Sequence, residues 1–338
     1  MDCSGTYEKS FQRRSGALSY RRTACGVMPS WHGVSQVLAF WISIMAEPQL
    51  NFVKCLGQGG LHRMAYWEWP CRAALPAGEK APVLVCVHGL SRQGRDFDQL
   101  AQALSERYRV ICPDVVGRGR SDWLAQPAGY QVPAYVADMV TLLARLDVDQ
   151  VDWVGTSMGG LIGMGLAALP GSPVRRLVLN DVGPTIQFDA LQRIGRYLGQ
   201  PRHFASVAEG SDYLLSISAS FGPHTAEQWA ALSAPMFKPE GEGFKLHYDP
   251  QIAQAFHAVT PDLAQAGSAA LWYAFDALRC PTLLLRGAES DLLSTETAQA
   301  MTQRGPRAQL REIAGVGHAP TLVQPDQIAL VRAFLEAA

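Results

Sequence analysis

A serine flanked by glycines, Gly155-Thr156-Ser157-Met158-Gly159, stands directly after the apolar run Val151–Val154. A strand that turns sharply into a helix holds the turn residue in a strained backbone conformation and lifts its hydroxyl clear of the sheet. The neighbours two positions away must then be small enough for strand and helix to approach. Gly155 and Gly159 meet that demand, and Leu161, Ile162, Met164 and Ala168 continue as an apolar helix. Ser157 is therefore the candidate nucleophile. A seryl hydroxyl needs a base to take its proton, a third group to orient that base, and donors for the oxyanion formed when a carbonyl is attacked. An ordinary glycine-rich turn between strand and helix, the plainer reading, needs none of these.

Each of these partners has a candidate. Ala81–Leu90 is an apolar strand running into His88-Gly89, a tight turn that aims the next main-chain N–H, that of Leu90, into the site. The N–H of Met158 is the second oxyanion donor, at the positive end of the helix that follows the serine. Cys280–Arg286 reads as another buried strand, and the turn after it delivers Asp291 as the orienting acid. Glu289, two positions earlier, and Asp181, at the end of the preceding strand, are its competitors; Asp291 is preferred. His318 follows the strand-like Gln309–Ile313 in the loop Ala314–Pro320 and is the candidate base. His88 is assigned to shaping the oxyanion turn. Asp114 and Asp122 in PDVVGRGRSD are read as structural carboxylates that fix a loop by local hydrogen bonds. The remaining histidines show no metal-ligand spacing, so neither a metal nor an organic cofactor is expected.

Taken together, the His-Gly turn, P-D-x-x-G-R-G-x-S, G-x-S-x-G, and the chain order Ser, Asp, His resemble the α/β-hydrolase superfamily from Asn51 to the C-terminus. The resemblance implies a serine carboxylesterase working through an acyl-enzyme. Dehalogenases and epoxide hydrolases on this fold use an aspartate nucleophile, which Ser157 argues against. The segments HGLSRQGRDF, Leu246–Pro250 and ALRCPTLLLRGAESDLLS resemble a group of capped bacterial hydrolases that includes hydroxyalkanoate-oligomer esterases and lactonases. A short to medium acyl or hydroxyacid-oligomer ester is the implied substrate. A carbon–carbon bond hydrolase or enol-lactonase using the same three residues is the alternative enzyme. A ligand receptor on a hydrolase fold, with slow turnover, is the alternative from another class.

The elements that must position these residues alternate between strand and helix. Asn51–Leu56 and Leu61–Trp69 form an expected antiparallel hairpin. Further strands are expected at Val83–Val87, Arg109–Cys112, Val151–Val154, Arg176–Leu179, Thr282–Leu285 and Gln309–Glu312, with helices at Asp96–Arg107, Pro133–Leu146, Met158–Leu169, Thr295–Arg304 and Pro325–Glu336. The result is an α/β class fold, a mostly parallel eight-stranded sheet with helices on both faces and sites at the C-terminal strand ends. Between Asn180 and Cys280 the alternation fails, and five helical segments without a clear strand indicate a helical cap. The expected organisation is an N-terminal extension over 1–45, core over 46–183, cap over 184–279 and core again over 280–338. Aromatic cap residues such as Phe221, Phe256 and Trp272 suit an acyl pocket, although any one of them more commonly packs the cap to itself. Ser91 and Arg92, beside the oxyanion turn, and Trp272 are the candidate substrate contacts.

The chain has 338 residues, 48% hydrophobic and 17% charged, enough to bury a large core. Its 29 Lys and Arg against 30 Asp and Glu give no basic patch for nucleic acid. Seven cysteines have no disulfide-framework spacing. Cys86, Cys112 and Cys280 fall in or beside strands as small buried hydrophobes, which fits a cytoplasmic protein. The expected partner is a small-molecule ester, without nucleic acid and without stable membrane insertion. The first 45 residues differ in kind: arginines, then the apolar Val34–Met45, shorter than the roughly 20 residues of a membrane span. A signal for export and an interfacial anchor are the alternatives to the preferred reading, in which the working chain starts at Met45.

On that reading a protein beginning at Met45 is expected to be soluble and as active as the full chain. Melting temperature and kcat/KM of the two proteins check this. Insolubility, or a loss above about 2 kcal/mol, a large fraction of typical stability, would place the arm in the fold.

Overall fold

The structure, a computed structural model, describes residues 47–337 other than 77 and 258. The expectations for residues 1–45 lie outside the described residues. Gly57 and Gly60 face one another across a two-residue turn, so β1 (Gln49–Gly57) and β2 (Gly60–Trp69) form the expected hairpin, with Cys55 opposite His62 and Leu56 opposite Leu61. The chain continues through β3 (Val83–Val87), α1 (Asp98–Leu104), β4 (Arg109–Asp114), α2 (Val132–Leu146), β5 (Val151–Thr156), α3 (Met158–Ala167) and β6 (Val174–Asn180). After a long insertion, counted below as α4 to α8 and β7 to β9, come β10 (Thr282–Gly287), α9 (Thr295–Met301), β11 (Gln309–Ile313) and α10 (Pro325–Leu335).

The sheet has eight strands in the order β1-β2-β4-β3-β5-β6-β10-β11, antiparallel through β1, β2 and β4 and parallel from there on. Alternation along the buried strands fills both faces. Val83, Val85, Val87 and Trp153 pack with residues of α2 and α3 on one side. Leu84, Cys86 and Val154 pack with Phe97, Leu100 and Leu104 near and on α1, and with Val331 and Phe334 of α10, on the other. β3 pairs with β4 on one side and β5 on the other, so connections leave it in opposite directions. The loops after β3 and β5 meet at that reversal, where an open sheet leaves a crevice.

The insertion comprises α4 (Phe188–Tyr197), β7 (His203–Phe204), α5 (Val207–Ile217), α6 (Ala226–Ser233), β8 (Phe237–Glu240), β9 (Gly243–Leu246), α7 (Ala253–His257) and α8 (Pro261–Ala277). Thr225 caps α6 in a reciprocal capping box with Gln228, and Thr260 caps α8 ahead of Pro261. Phe204, Leu214, Trp229, Leu232, Met236 and Phe237 make a separate apolar centre, closed by Val323 from the core. The expectation of a cap without strands is corrected: β7, β9 and β8 form a three-stranded antiparallel sheet. These strands are two to four residues long, and the turn sequence Glu240–Gly243 reads as loop, so no period-two pattern could develop.

Close approach of α3 to the sheet depends on missing side chains. A Cβ at Gly159 would lie 2.0 Å from the Val87 carbonyl oxygen, and one at Gly155 would lie 2.3 Å from the Gly159 oxygen. Both obstacles are backbone, which cannot rotate aside. Gly159→Ala is therefore expected to be destabilised by about 1–3 kcal/mol or more, lowering Tm by about 2 °C per kcal/mol. Gly267→Ala in α8, where a Cβ meets nothing within 4 Å, is expected to leave Tm unchanged or higher. Thermal unfolding of both variants checks the contrast, and equal melting points would contradict it.

Candidate active site

β5 ends at Thr156 and α3 starts at Met158, leaving Ser157 alone at the turn with φ 52° and ψ −116°. A non-glycine residue at this φ is strained, and strain persists only where surroundings over-determine it. Here the Ser157 N–H donates to Asn180 O at 2.9 Å on β6, and its carbonyl accepts from Gly160 and Leu161. Thus the hydroxyl is presented above the strand ends. Ser157 Oγ lies 2.9 Å from His318 Nε2, and His318 Nδ1 lies 2.8 Å from Asp181 Oδ2. With Nδ1–H donating to the carboxylate, Nε2 is left to accept the seryl proton.

The acid expected at Asp291 is corrected by this geometry. Asp181 is fully buried one residue beyond β6, the strand beside the nucleophile strand, whereas Asp291 follows β10, one strand further away. The turn after β10 does serve the site, but with donors: Gly287 N–H reaches Asp181 Oδ1 at 2.8 Å and Ser290 Oγ reaches Oδ2 at 2.6 Å. Asp291 itself points outward and takes a two-pronged ion pair from Arg193 on α4, at 2.7 and 2.9 Å. Glu289 is exposed and makes no hydrogen bond with His318 either; its main-chain N–H donates to Val316 O at 2.9 Å. A signal for Asp181 was present in its place at the end of the apolar run of β6, and its left-handed φ of 54° is one that an aspartate tolerates.

The two oxyanion candidates flank Ser157. His88 Nδ1 donates to Gly89 O at 2.7 Å while His88 Nε2 accepts from Val115 N–H at 3.0 Å. In a planar trans peptide the N–H points opposite to the carbonyl, so this bond turns the Leu90 N–H away from His88. Burial, reinforced by the nearby Arg118 and Arg92 charges, pushes His88 down to about 3. It is a neutral brace, not a base. Sequence reading missed Arg118 as part of this assembly. Completely buried, it donates to Leu90 O at 2.7 Å, to Val116 O at 2.7 Å and to Tyr135 Oη at 3.0 Å, and approaches Met158 Sδ at 3.5 Å. These partners are neutral, so a positive charge sits against Leu90 and Met158, the two residues whose N–H groups are the oxyanion candidates. Asp114 braces the same region structurally, accepting from Gly94 and Arg120 N–H at 2.7 and 2.8 Å, and Asp122 accepts from Arg63 N–H at 2.8 Å.

Two chambers open from Ser157. Both are open to solvent; one, of about 850 Å³ including that open space, is the more polar of the two, with Ser91, Arg92, Arg193 and His318 standing among apolar residues such as Leu214, Ile217, Phe221 and Met236. The other, of about 800 Å³, is apolar, lined among others by Met158, Leu161, Ile186, Leu191, Ile252 and Phe256. Leu90, Ser157 and Ile194 border both. Ser91 and Arg92 thus reach the site, although Arg92 already pairs with Asp96 at 2.7 Å and donates to Leu232 O in the cap at 2.9 Å. Trp272 is corrected: it lines neither chamber. Its indole N–H is bound to Thr185 Oγ1 at 2.9 Å, its face is covered by Arg304 at 4.1 Å, and it packs edge-on against Phe275.

A nucleophile turn of this kind at the crevice of a parallel sheet, with its histidine and buried acid, defines an α/β hydrolase. Residues 84–330 match the model of the alpha/beta hydrolase family, and the chain belongs to that family. Among its relatives is a 3-hydroxybutyrate-oligomer hydrolase of Cupriavidus necator, 56% identical over 297 residues, which are 87% of this chain and 99% of that protein. A 2-hydroxymuconate semialdehyde hydrolase of a Pseudomonas species is 30% identical over 225 residues, 64% of this chain and 71% of the relative. An alpha/beta hydrolase structure from Novosphingobium aromaticivorans superimposes with a TM-score of 0.74 at 33% identity, covering 86% of this chain and 99% of its own. Among the described residues no helix is long and apolar enough to cross a membrane.

The two aspartates are separable by experiment. Asp181→Asn is expected to lower kcat by roughly 10⁴, by favouring the wrong imidazole tautomer. Asp291→Asn removes a half-exposed ion pair worth about 0.2–1 kcal/mol and is expected to stay within tenfold of wild type. Steady-state kinetics on a chromogenic ester checks the ranking, and the opposite order would return the acid to Asp291.

Proposed function

We propose that the protein is a serine carboxylesterase that cleaves short hydroxyacid oligomers, 3-hydroxybutyrate oligomers first among them, through an acyl-enzyme on Ser157. The unbroken run from Ser157 Oγ through His318 to Asp181, at 2.9 and 2.8 Å, carries the reading of the chemistry. The 56% identity to a 3-hydroxybutyrate-oligomer hydrolase, across 99% of that relative, supports the substrate class. His318 takes the seryl proton as Oγ attacks the ester carbonyl, and the Leu90 and Met158 N–H groups receive the oxyanion. His318 then protonates the departing alkoxide. Water enters, His318 takes its proton, and the acyl group leaves as an acid.

The lining of the two chambers supports a placement of the two halves of the substrate. His318 borders only the polar chamber, so the alcohol that it protonates departs there. For a hydroxyacid oligomer that leaving group carries a carboxylate, which suits a lining with Ser91, Arg92 and Arg193. Met158 borders only the apolar chamber, which takes the acyl chain. The described cysteines are free thiols, in keeping with a cytoplasmic location, which we include in the proposal.

Ser157→Ala is expected to lose on the order of 10⁶ in kcat on 3-hydroxybutyrate dimer and trimer, leaving the small rate given by binding and the oxyanion donors. Activity within tenfold of wild type would remove Ser157 from the mechanism. Hydroxybutyrate oligomers, p-nitrophenyl esters of graded length and a ring-fission dienone, run side by side, test the substrate class. A higher kcat/KM on the dienone would favour carbon–carbon bond hydrolysis, and an acyl burst with slow release on every ester would favour a receptor.

A further inference from the structure

The β1-β2 hairpin places Cys55 directly opposite His62. Directly paired residues project to the same face of a sheet, and Asp138 of α2 descends on that face. All three are buried, with 0, 9 and 2% of their surfaces exposed. One ligating atom from each, a thiol sulfur, an imidazole nitrogen and a carboxylate oxygen, lies within 4.8 Å of the other two. The cluster shares no residue with the Ser157 site.

Local hydrogen bonding accounts for only part of this arrangement. His62 Nε2 bonds to Asp138 Oδ2 at 2.9 Å, and the Cys55 thiol lies against the same residue, 4.0 Å from its main-chain oxygen and beside its carboxylate. His62 Nδ1 is buried and has no partner among the described residues. A buried imidazole nitrogen left unpaired is costly. Gly57 keeps the ring edge clear, since a Cβ there would stand 3.3 Å from both Nδ1 and Cε1. His62 and Asp138 also border a cavity formed by the hairpin turn and the segment around Trp123, Gln126 and Gln131, a route for water to a further coordination position.

We propose that Cys55, His62 and Asp138 form a divalent-cation site of the zinc type, completed by water, that ties the β1-β2 hairpin to α2. Sulfur, nitrogen and oxygen donors in one set suit zinc, whereas calcium and magnesium take oxygen ligands. Bonds of about 2.0–2.3 Å in a tetrahedron put ligand atoms roughly 3.3–3.8 Å apart. In the present triangle the atoms lie within 4.8 Å of one another, with the His62–Asp138 edge at 2.9 Å, so binding requires that edge to open by roughly 0.4 Å or more. Binding is balanced as the cation and the Cys55 thiol giving a sulfur–metal bond, with the proton released to solvent. The spacing in the sequence conceals the set, because its third member comes from a helix far along the chain.

Cobalt(II) titrated into the full-length protein after dialysis against EDTA tests the site through the thiolate-to-cobalt absorption in the near ultraviolet. The expected result is one equivalent bound with that band. Cys55→Ser should abolish the band, and Asp138→Asn should weaken binding at least tenfold, while Cys280→Ser changes neither. Zinc should raise the wild-type Tm above its value in EDTA. Binding without a thiolate band, a band that survives Cys55→Ser, or no binding by the wild-type protein overturns the proposal. Melting in EDTA shows whether each variant is folded. If Cys55→Ser is not, His62→Gln in competition with a chromophoric zinc chelator decides by the same criterion, since unchanged affinity overturns the site.

Discussion

Helix α3 touches the backbone of β3 and β5, and the geometry of the site depends on that contact. Glycine at 155 and 159 brings the helix down until the Gly159 backbone lies against Val87, where any Cβ would overlap. Trp153, fully buried, closes the same contact from beneath by donating its indole N–H to Gly159 O at 3.1 Å. A chain that leaves β5 and must enter so close a helix has no room for a relaxed turn. Ser157 consequently takes φ 52°. The strain, of order 1–3 kcal/mol, is sustained by packing, and its result is a hydroxyl whose position is fixed before substrate arrives.

Buried polar groups extend the same logic to the electrostatics. An isolated guanidinium inside a protein is costly unless its donors are met, and Arg118 meets them with carbonyls, a phenol and a thioether rather than a carboxylate. The charge is thus solvated without being neutralised. Hydrogen bonds to a charged group contribute about 1.5–3 kcal/mol each, enough to hold the Leu90 carbonyl firmly, and the uncompensated charge favours negative charge developing nearby. His88 supplies direction without charge, because burial keeps it neutral. One group therefore fixes the peptide before Leu90 and the other the peptide after it.

What could be read from the sequence follows from how local each feature is. Ser157 and His318 were legible because a strand, a glycine pair and a loop mark each within ten residues. The strands were legible because their apolar runs are continuous. Asp181 was visible as a strand-end carboxylate, but choosing it over Asp291 required knowing that Ser290 and Gly287 turn their donors toward β6, a relation between strands distant in the chain. Trp272 had the right residue type for a pocket and the wrong side of α8, a matter of helix rotation that weak periodicity does not settle. The short cap strands left no pattern, and Arg118 showed itself only as one arginine of a loop motif.

The cap joins the core through several attachments. Near the base, Gly317 N–H donates to Ser220 O at 2.6 Å, Ser220 Oγ donates to His318 O at 2.8 Å, and His224 Nε2 lies 2.8 Å from Thr321 Oγ1. The loop that carries His318 is thereby bonded to the cap on both sides of the histidine. Across the chamber the links include the Arg193–Asp291 pair, both partners more than a third exposed, together with Arg92 to Leu232 O and the buried Tyr130–Asp249 bond. Exposed pairs contribute about 0.2–1 kcal/mol, less than three hydrogen bonds of about 1 kcal/mol each. The cap is thus bonded to the core where its attachment also holds the His318 loop, and the Arg193–Asp291 pair is a weak, exposed link among its other attachments. On the proposed function, a leaving-group carboxylate would meet in Arg193 an arginine whose present partner is a solvent-screened aspartate, and would compete with Asp291 for that cation.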